Sequence, residues 1–293
     1  MGRQSWLSRY SRTYYPMIAF SGRFNIAIFL IIASTSISAN PVEDRQQIRA
    51  FYQQLFPQLS LDDYAEGVYA IDADAKDSWL AIEEFPPYEF ALERGELLFN
   101  QAFANGYADC FANKGIAIAQ NYPYWDKQKQ QITTLANAIN DCRQKNQLPP
   151  LAYAKGEITT ILAYMAYTSR GQRINTQIPA ESQLALTAYQ QGKAYFYQRR
   201  GQLNFSCASC HLDNAGKFIR SEILSPALGH TTHWPAYRLN SGEMGTLHRR
   251  FMVCNKLIRA KVDPAQSTAL RQLEYFLSFI DNGLPLNGPS TRK

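Results

Sequence analysis

Cys207-Ala208-Ser209-Cys210-His211 is the stretch that predicts both the fold and the cofactor of this 293-residue chain. Two thiols three positions apart can bond to the vinyl groups along one porphyrin edge, and the next residue can then place its imidazole beneath the iron. A redox dithiol, half of a zinc site and a disulfide are alternative interpretations. A zinc site needs further ligands at suitable spacing, and the sequence has no second Cys-x-x-Cys. We therefore expect one covalently bound haem c, with His211 as an axial ligand.

The first 39 residues have the composition of a signal peptide and not of a folded segment. Four arginines precede Glu43, the first acidic residue, and an apolar run at 26–33 leads into small residues that end at Ala39. This run is well short of the roughly 20 residues that span a bilayer, which makes an uncleaved N-terminal anchor the weaker alternative. We expect residues 1–39 to be removed on export to the periplasm, where disulfides persist, and no membrane span to remain.

The composition of the chain excludes several classes of protein. Apolar residues make up 46% and charged residues 18%, which is typical of a globular protein and not of a disordered one. Signal cleavage would remove four of the six net positive charges. The basic charge of the whole chain therefore does not indicate a nucleic-acid partner.

The chain contains the same unit twice. The segment around Gly95 resembles the segment around Gly192, and when the two glycines are aligned Cys110 falls on Cys207 without a gap. The first copy has Asn113-Lys114 where the second has the last cysteine and the histidine of the haem motif. We therefore expect the first copy to have lost its haem.

The C-terminal ends of the two copies also match. Cys142 precedes Gly171 by the same interval as Cys254 precedes Gly283. Between these landmarks, apolar residues at helical spacing occupy equivalent positions: Ile161, Tyr164, Met165 and Tyr167 in the first copy, and Leu273, Phe276, Leu277 and Phe279 in the second. Each copy is thus predicted to form a helix, a cysteine-bearing loop, a second cysteine and a closing helix, which is the plan of a small cytochrome c domain. Chance similarity between helical segments is the alternative, and four landmarks in register argue against it.

We predict a mainly α fold of two tandem cytochrome c-like domains. Residues 40–85 form an N-terminal extension to which the sequence assigns no function. Residues 86–180 form the domain that has lost its haem, and residues 181–293 form the haem-binding domain with the active site. Pro86-Pro87 marks the first boundary.

The haem iron needs a sixth ligand or an open position. The candidates after the haem motif are His230, His233, Met244, His248, Met252 and Cys254. Methionine is the common choice in electron-transfer cytochromes. Cys254 differs from the others in its basic surroundings: if 247–256 is helical, Arg250 lies one turn earlier on the same face, where its guanidinium would favour the thiolate and offer donors to an anion. An ordinary solvated basic face with a buried cysteine explains the same residues equally well.

The number of cysteines adds a constraint. Two cysteines go to the haem, and the alignment of the two copies puts Cys110 at a thioether position and Cys142 at a distal-ligand position of the same lost haem. A Cys110–Cys142 disulfide is the natural replacement. It would close a loop of about 30 residues and stabilise the fold by roughly 3–4 kcal/mol. Cys254 then remains unpaired, and an unpaired thiol in an exported protein requires a role.

Several segments resemble the SoxA family, the larger cytochrome subunit of the SoxAX complex of periplasmic sulfur oxidation. The resemblance runs from about residue 85 to the end and is carried by residues 121–123, 139–143, 169–171, 197–211, 234–238, 247–255, 259–260 and 282–285. The most specific part is 247–255, which contains Arg250 and Cys254. The family has dihaem and monohaem forms, and Asn113-Lys114 makes this chain similar to the monohaem form, in which a disulfide occupies the lost site.

The resemblance implies a particular activity. Cys254 would be the distal haem ligand and the catalytic cysteine, found as a persulfide, and Arg250 would bind the substrate anion. The enzyme would be an L-cysteine S-thiosulfotransferase that couples thiosulfate to a cysteine of SoxY in the SoxYZ carrier and passes two electrons to cytochrome c. SoxX, a small monohaem cytochrome, would be its partner in a heterodimer.

Two further interpretations belong to other functional classes. One is a plain electron-transfer cytochrome ligated by Met244 or Met252, which needs neither a basic pocket nor an unpaired cysteine. The other is a non-catalytic haem subunit that serves as an assembly surface. Thiolate ligation together with thiosulfate turnover would exclude both.

Overall fold

The computed structural model describes residues 40–103 and 106–293, so the predicted signal peptide lies outside the described residues. The described chain is mainly helical. Its α-helices are α1 Pro41–Leu55, α2 Ala73–Glu83, α3 Glu89–Gln101, α4 Leu135–Lys145, α5 Glu157–Tyr167, α6 Gln183–Tyr197, α7 Cys207–His211, α8 Leu247–Leu257 and α9 Thr268–Ile280. Short 3₁₀ helices lie at Asp62–Ala70, Gly106–Cys110, Ala112–Gly115 and Ala119–Asn121. No helix in this part of the chain is long and apolar enough to cross a bilayer.

The strands are short and lie beside the helices. They are β1 Tyr124–Asp126, β2 Gln131–Thr133, β3 Phe218–Ile219, β4 Glu222–Ile223, β5 Ala236–Arg238, β6 Glu243–Gly245 and β7 Ser290–Arg292. β1 with β2 and β3 with β4 form two antiparallel pairs. β5 lies between β6, to which it is antiparallel, and β7, to which it is parallel. The last strand thereby brings the C-terminus back onto β5.

The elements of the first half, residues 86–180, recur in the second half, residues 181–293. A helix, a cysteine-bearing turn, an antiparallel strand pair and two further helices follow each other in both: α3, β1, β2, α4 and α5, and then α6, β5, β6, α8 and α9. Threonine caps the helix after the strand pair in each half, because the hydroxyl of Thr134 accepts from Asn137 N and that of Thr246 from Arg249 N. The repeat that the sequence predicted is therefore present in the backbone.

In each half the first and last helices cross in close contact at a glycine. A Cβ on Gly95 would lie 2.0 Å from the carbonyl oxygen of Thr160, and a Cβ on Gly192 would lie 2.0 Å from that of Gln272. Glycine weakens a helix interior by about 0.5–1 kcal/mol relative to alanine, but here no larger residue fits. The crossing in the second half packs Phe196 of α6 against Phe276 of α9, with ring centroids 5.5 Å apart.

The turn of the first half differs from that of the second at the site of the lost haem motif. Asn113 and Lys114 have φ values of 48° and 53°, so this turn does not form the short α-helix found at α7. Cys110 and Cys142 are joined by a disulfide across a separation of 32 residues. This confirms the predicted pairing.

Removal of this disulfide should destabilise the first half without affecting haem attachment. In the chain-entropy model, Cys110→Ser/Cys142→Ser lowers the free energy of unfolding by about 3–4 kcal/mol, because the unfolded chain regains the freedom of the closed loop. Guanidinium unfolding followed by circular dichroism measures the change. Haem absorbance per chain should remain that of the wild type, since the cysteines predicted to bind haem lie on α7. A stability equal to that of the wild type would contradict the prediction.

Candidate functional site

The haem motif forms a helix of its own. Ser206 caps α7 reciprocally: its hydroxyl accepts from Ser209 N at 3.0 Å, and Ser206 N donates to the Ser209 hydroxyl at 3.2 Å. This cap holds Cys207 and Cys210 three positions apart on one turn. Both thiols are unpaired and partly buried, as thioether attachment requires.

His211 has one ring nitrogen available. Its Nδ1 lies 2.9 Å from the carbonyl oxygen of Ser225. Since a carbonyl only accepts, Nδ1 carries the proton and Nε2 has the lone pair, which is the arrangement of a metal-ligating histidine. Burial lowers the pKa of His211 to about 4 and the nearby charge of Arg250 lowers it further, against the hydrogen bond to Ser225. The imidazole is therefore neutral near pH 7.

The N-terminal extension supports the same segment. Tyr52 of α1 is fully buried, and its hydroxyl donates to the carbonyl of His211 and accepts from Ala227 N at 2.8 Å. Burial raises the pKa of Tyr52 far above its ordinary value, so the hydroxyl remains a donor at every accessible pH. The sequence assigned no function to residues 40–85; the structure shows that this extension fixes the loop around His211.

Two adjacent arginines on α8 have different partners. Arg249 donates to a carboxylate oxygen of Glu243 and, at 3.3 Å, to the carbonyl of Met244. In the described part of the chain, the guanidinium of Arg250 makes no hydrogen bond and no ion pair. Arg250 thus retains its donors for an anion that is not part of the protein.

Cys254 and Arg250 both lie close to the haem motif. Burial raises the pKa of the Cys207 thiol to about 12; Arg200 opposes the rise and Cys254 adds to it. Burial and the proximity of Cys254 also raise the pKa of Cys210. Cys254 itself is unpaired and partly buried. The structure therefore brings all five predicted residues of the second half into one site.

The residues of this site fit a covalently bound haem better than a metal ion alone. Within residues 40–103 and 106–293 there is no group of three or more His, Cys, Asp or Glu side chains that could hold a metal ion. Several buried polar atoms here lack a hydrogen-bond partner in the described chain, namely His230 Nδ1, Arg200 Nη1, and Nε and Nη2 of Arg292. Unsatisfied buried groups of this kind are expected where a polar cofactor binds.

The three histidines among the alternative axial ligands have other partners or lie too close to His211. His248 is 1% exposed, its Nε2 lies 2.8 Å from Glu274, and its Nδ1 accepts from Gln266 N at 2.8 Å. The ring centroids of His230 and His211 are 4.3 Å apart, whereas metal–nitrogen bonds of about 2 Å on opposite faces of one iron hold two imidazoles farther apart. His233 is buried, and its Nδ1 lies 3.2 Å from the hydroxyl oxygen of Thr232.

The two candidate methionines differ in their surroundings. Met244 is 8% exposed and packs with Tyr88 and Ala163 in a cluster that contains no residue of the haem motif. Met252 packs against the main core cluster of the second half, as Cys207 also does. Of the two, only Met252 packs against the same cluster as a residue of the motif.

Comparison with known proteins agrees with this site. A family model described as the SoxA/TsdA cytochrome c domain matches residues 94–174, which lie in the first half and include the disulfide. Together with the recurring helix pair and the Cys-x-x-Cys-His helix, this match defines the chain as a c-type cytochrome.

The relatives define the family more closely. The chain is 51% identical to the L-cysteine S-thiosulfotransferase subunit SoxA of Allochromatium vinosum over 87% of this chain and 92% of that protein. It is 45% identical to SoxA of Chlorobaculum tepidum over 93% and 98% of the two chains. A crystal structure of SoxXA from P. pantotrophus superimposes with a TM-score of 0.67 and 29% identity, over 74% of this chain and 84% of that one. The chain belongs to the SoxA family of L-cysteine S-thiosulfotransferase subunits, which confirms the resemblance found in its sequence.

Proposed function

We propose that this chain catalyses the oxidative coupling of thiosulfate to a cysteine of a carrier protein, with Cys254 as the catalytic residue and Arg250 as the substrate-binding residue. One observation carries the proposal: Arg250 lacks an ion-pair partner in the described structure and lies one turn from the unpaired Cys254, beside the haem motif. The neighbouring Arg249 is bound to Glu243.

Charge and geometry on α8 give each residue its role. Thiosulfate is a dianion, and the planar guanidinium of Arg250 presents two parallel donors to its oxygens. Cys254 follows one turn later on the same face of the helix. A dianion held by Arg250 would therefore lie one turn from Cys254, the residue that we assign to catalysis.

The haem is held by the residues of the second half. Cys207 and Cys210 would hold the haem through thioether bonds, and His211 and Cys254 would bind its iron. When bound, the haem accepts electrons one at a time. The neutral imidazole of His211, with its proton fixed on Nδ1 by Ser225, keeps Nε2 available for the iron at neutral pH.

The electron count requires a partner. Joining the sulfane sulfur of thiosulfate to a carrier thiol forms one S–S bond and releases two electrons and the thiol proton. A single haem accepts only one electron, and the first half has Asn113 and Lys114 in place of a second haem motif. We assign residues 86–180 to a haem-less cytochrome c-like domain and residues 181–293 to the haem domain, so that a second haem comes from another subunit.

That partner is SoxX, which assembles with this chain as a heterodimer. The similarity to the structure titled SoxXA supports this assignment. The carrier is SoxYZ, whose SoxY cysteine accepts the thiosulfate, and a cytochrome c receives the electrons. Processing of residues 1–39 places these reactions in the periplasm, where c-type haem is attached.

The proposal is tested with the chain exported in a host that matures c-type cytochromes, alone and with SoxX. Alone, it should contain one haem per chain in the pyridine haemochrome assay and show low-spin ferric signals of His/thiolate ligation. With SoxX, SoxYZ and thiosulfate it should reduce cytochrome c, with two electrons for each thiosulfate bound to the carrier. A haem protein that exchanges electrons but shows a His/Met spectrum and no turnover would favour an electron-transfer cytochrome ligated by Met252.

A further inference from the structure

The last strand carries a buried cation with unused donors. Arg292 is 5% exposed, and its guanidinium lies 4.7 Å from the ring centroid of Tyr69 and 5.5 Å from that of Trp79. Nη1 donates to the carbonyl of Glu66 at 2.8 Å and the neutral Tyr69 hydroxyl lies near the guanidinium, whereas Nε and Nη2 have no partner in hydrogen-bond geometry among the described residues. A buried guanidinium with unsatisfied donors is costly unless an anion completes its site.

A second arginine lies beside it. In the parallel pairing of β5 with β7, Arg238 is in register with Arg292, and register partners on parallel strands project from the same face of the sheet. Arg238 is partly buried, and in the described chain its guanidinium makes no hydrogen bond or ion pair. Burial lowers the pKa of both arginines to about 10, and each lies close to another arginine. Two like charges on one buried face favour the binding of an anion between them.

The protein groups around the pair do not supply that anion. Tyr69, Glu83, Arg238 and His233 face Arg292, and Arg250, Glu222, Cys254 and Tyr69 face Arg238. The carboxylate of Glu83 already accepts from Trp79 Nε1 at 3.0 Å, from Thr291 N at 2.8 Å and from the Tyr88 hydroxyl. No ion pair within 4 Å joins Glu222 to Arg238 in the described residues.

The pair borders the space around the haem motif. Arg238 lies close to Arg250 and Cys254, and both arginines lie close to His233. The first half serves as an internal comparison, because strand β1 has Asp126 at the position that Arg238 occupies in β5. The arginine is therefore present only in the half that carries the haem motif.

We propose that Arg238 and Arg292 form a carboxylate-binding site for a propionate of haem c. The proposal rests on the haem attachment described under the proposed function. A propionate carboxylate can accept from both guanidinium groups, and it satisfies donors of Arg292 that the protein leaves unpaired. Thiosulfate is assigned to Arg250 instead, because Arg250 lies on α8 one turn from Cys254, whereas Arg292 lies on β7.

The test is the pH dependence of the haem midpoint potential in the complete holoprotein. Arg292→Gln, Arg238→Gln, Arg292→Lys and Arg238→Lys are compared with the wild type by spectroelectrochemistry between about pH 4.5 and 9. Two guanidinium groups lower the pKa of a propionate, and the midpoint potential falls over the pH range in which the propionate ionises. Each glutamine variant removes one of these charges, so this pH range should move upward by about one unit or more. Each lysine variant keeps the charge and should recover part of this shift.

The control is Lys217→Gln, which removes an exposed cation six residues after His211. Its pH profile should superimpose on that of the wild type. If Arg292→Gln does not fold, Arg238→Gln alone decides the question. Wild-type profiles in both glutamine variants would overturn the proposal, as would a raised KM for thiosulfate with an unchanged profile. Absence of covalent haem from the wild type would instead contradict the proposed function and is seen before any variant is made.

Discussion

Replacement of Cys254 by methionine should lower the rate of thiosulfate coupling by about 10³-fold or more, because the site contains no substitute for the thiol that we propose as catalytic. Haem content should be unchanged, since attachment depends on Cys207 and Cys210. The low-spin ferric signals of His/thiolate ligation should disappear and a His/Met spectrum should replace them. The measurements are thiosulfate-dependent reduction of cytochrome c with SoxX and SoxYZ, and the absorption and EPR spectra of the same preparation.

The chain offers a matched control for Cys254. Cys142 of α4 occupies the position in the first half that Cys254 of α8 occupies in the second half, and it forms a disulfide with Cys110. The Cys110→Ser/Cys142→Ser variant should keep the wild-type spectrum and rate at temperatures where it remains folded. If Cys254→Met has an unchanged spectrum and full activity, the axial ligand and the catalytic residue lie elsewhere, and Met252 becomes the candidate ligand.

The parts of this structure that the sequence predicted depend on local spacing. The positions of Gly95 and Gly192, the Cys-x-x-Cys-His turn and the apolar spacing of the last helix in each half predicted the repeated helix pair, which the structure contains. Each of these patterns spans no more residues than one helix, and over that distance helical periodicity or motif spacing determines the local geometry. The Cys110–Cys142 pairing followed from aligning the two copies and did not need a long-range contact.

The parts that could not be predicted depend on contacts between distant segments. Tyr52 reaches His211 across 159 positions, and nothing near Tyr52 in the sequence indicates a hydroxyl directed at the haem loop. Arg238 and Arg292 meet only because β7 pairs in parallel with β5. In the same way, helical spacing put Arg250 on the face of Cys254, but the ion pair of Arg249 with Glu243 depends on how α8 packs against β6.

By our proposal, the first half has replaced a haem site without loss of the fold. In the first half the turn at Asn113 and Lys114 is left-handed, and the disulfide links the turn to α4. In the second half the corresponding residues form α7, and Cys254 of α8 stays unpaired. In each half the cysteine-bearing turn is thus linked to the helix after the strand pair. A disulfide makes this link in the first half and, by our proposal, the haem makes it in the second half.

Replacement of Arg250 by glutamine should lower kcat/KM for thiosulfate by about 10- to 200-fold, the range that corresponds to the loss of a hydrogen-bonded charge worth about 1.5–3 kcal/mol. The haem spectrum should stay close to that of the wild type, because Arg250 is not an iron ligand. The dependence of the wild-type KM on ionic strength should weaken in the variant, since one charge that attracts the dianion is removed. Steady-state kinetics at two salt concentrations measures both effects.

Arg249→Gln is the matched control, because it removes the same charge from the next position of α8. Arg249 is bound to Glu243, which is 38% exposed, and a pair at this exposure contributes at most about 1 kcal/mol to stability. The control should therefore lose a little stability and keep most of its kcat/KM. If Arg249→Gln were as defective as Arg250→Gln, thiosulfate would respond to the general positive charge of α8 and not to one guanidinium. If Arg250→Gln lost its haem, Arg250 would support the cofactor and its assignment to the substrate would be wrong.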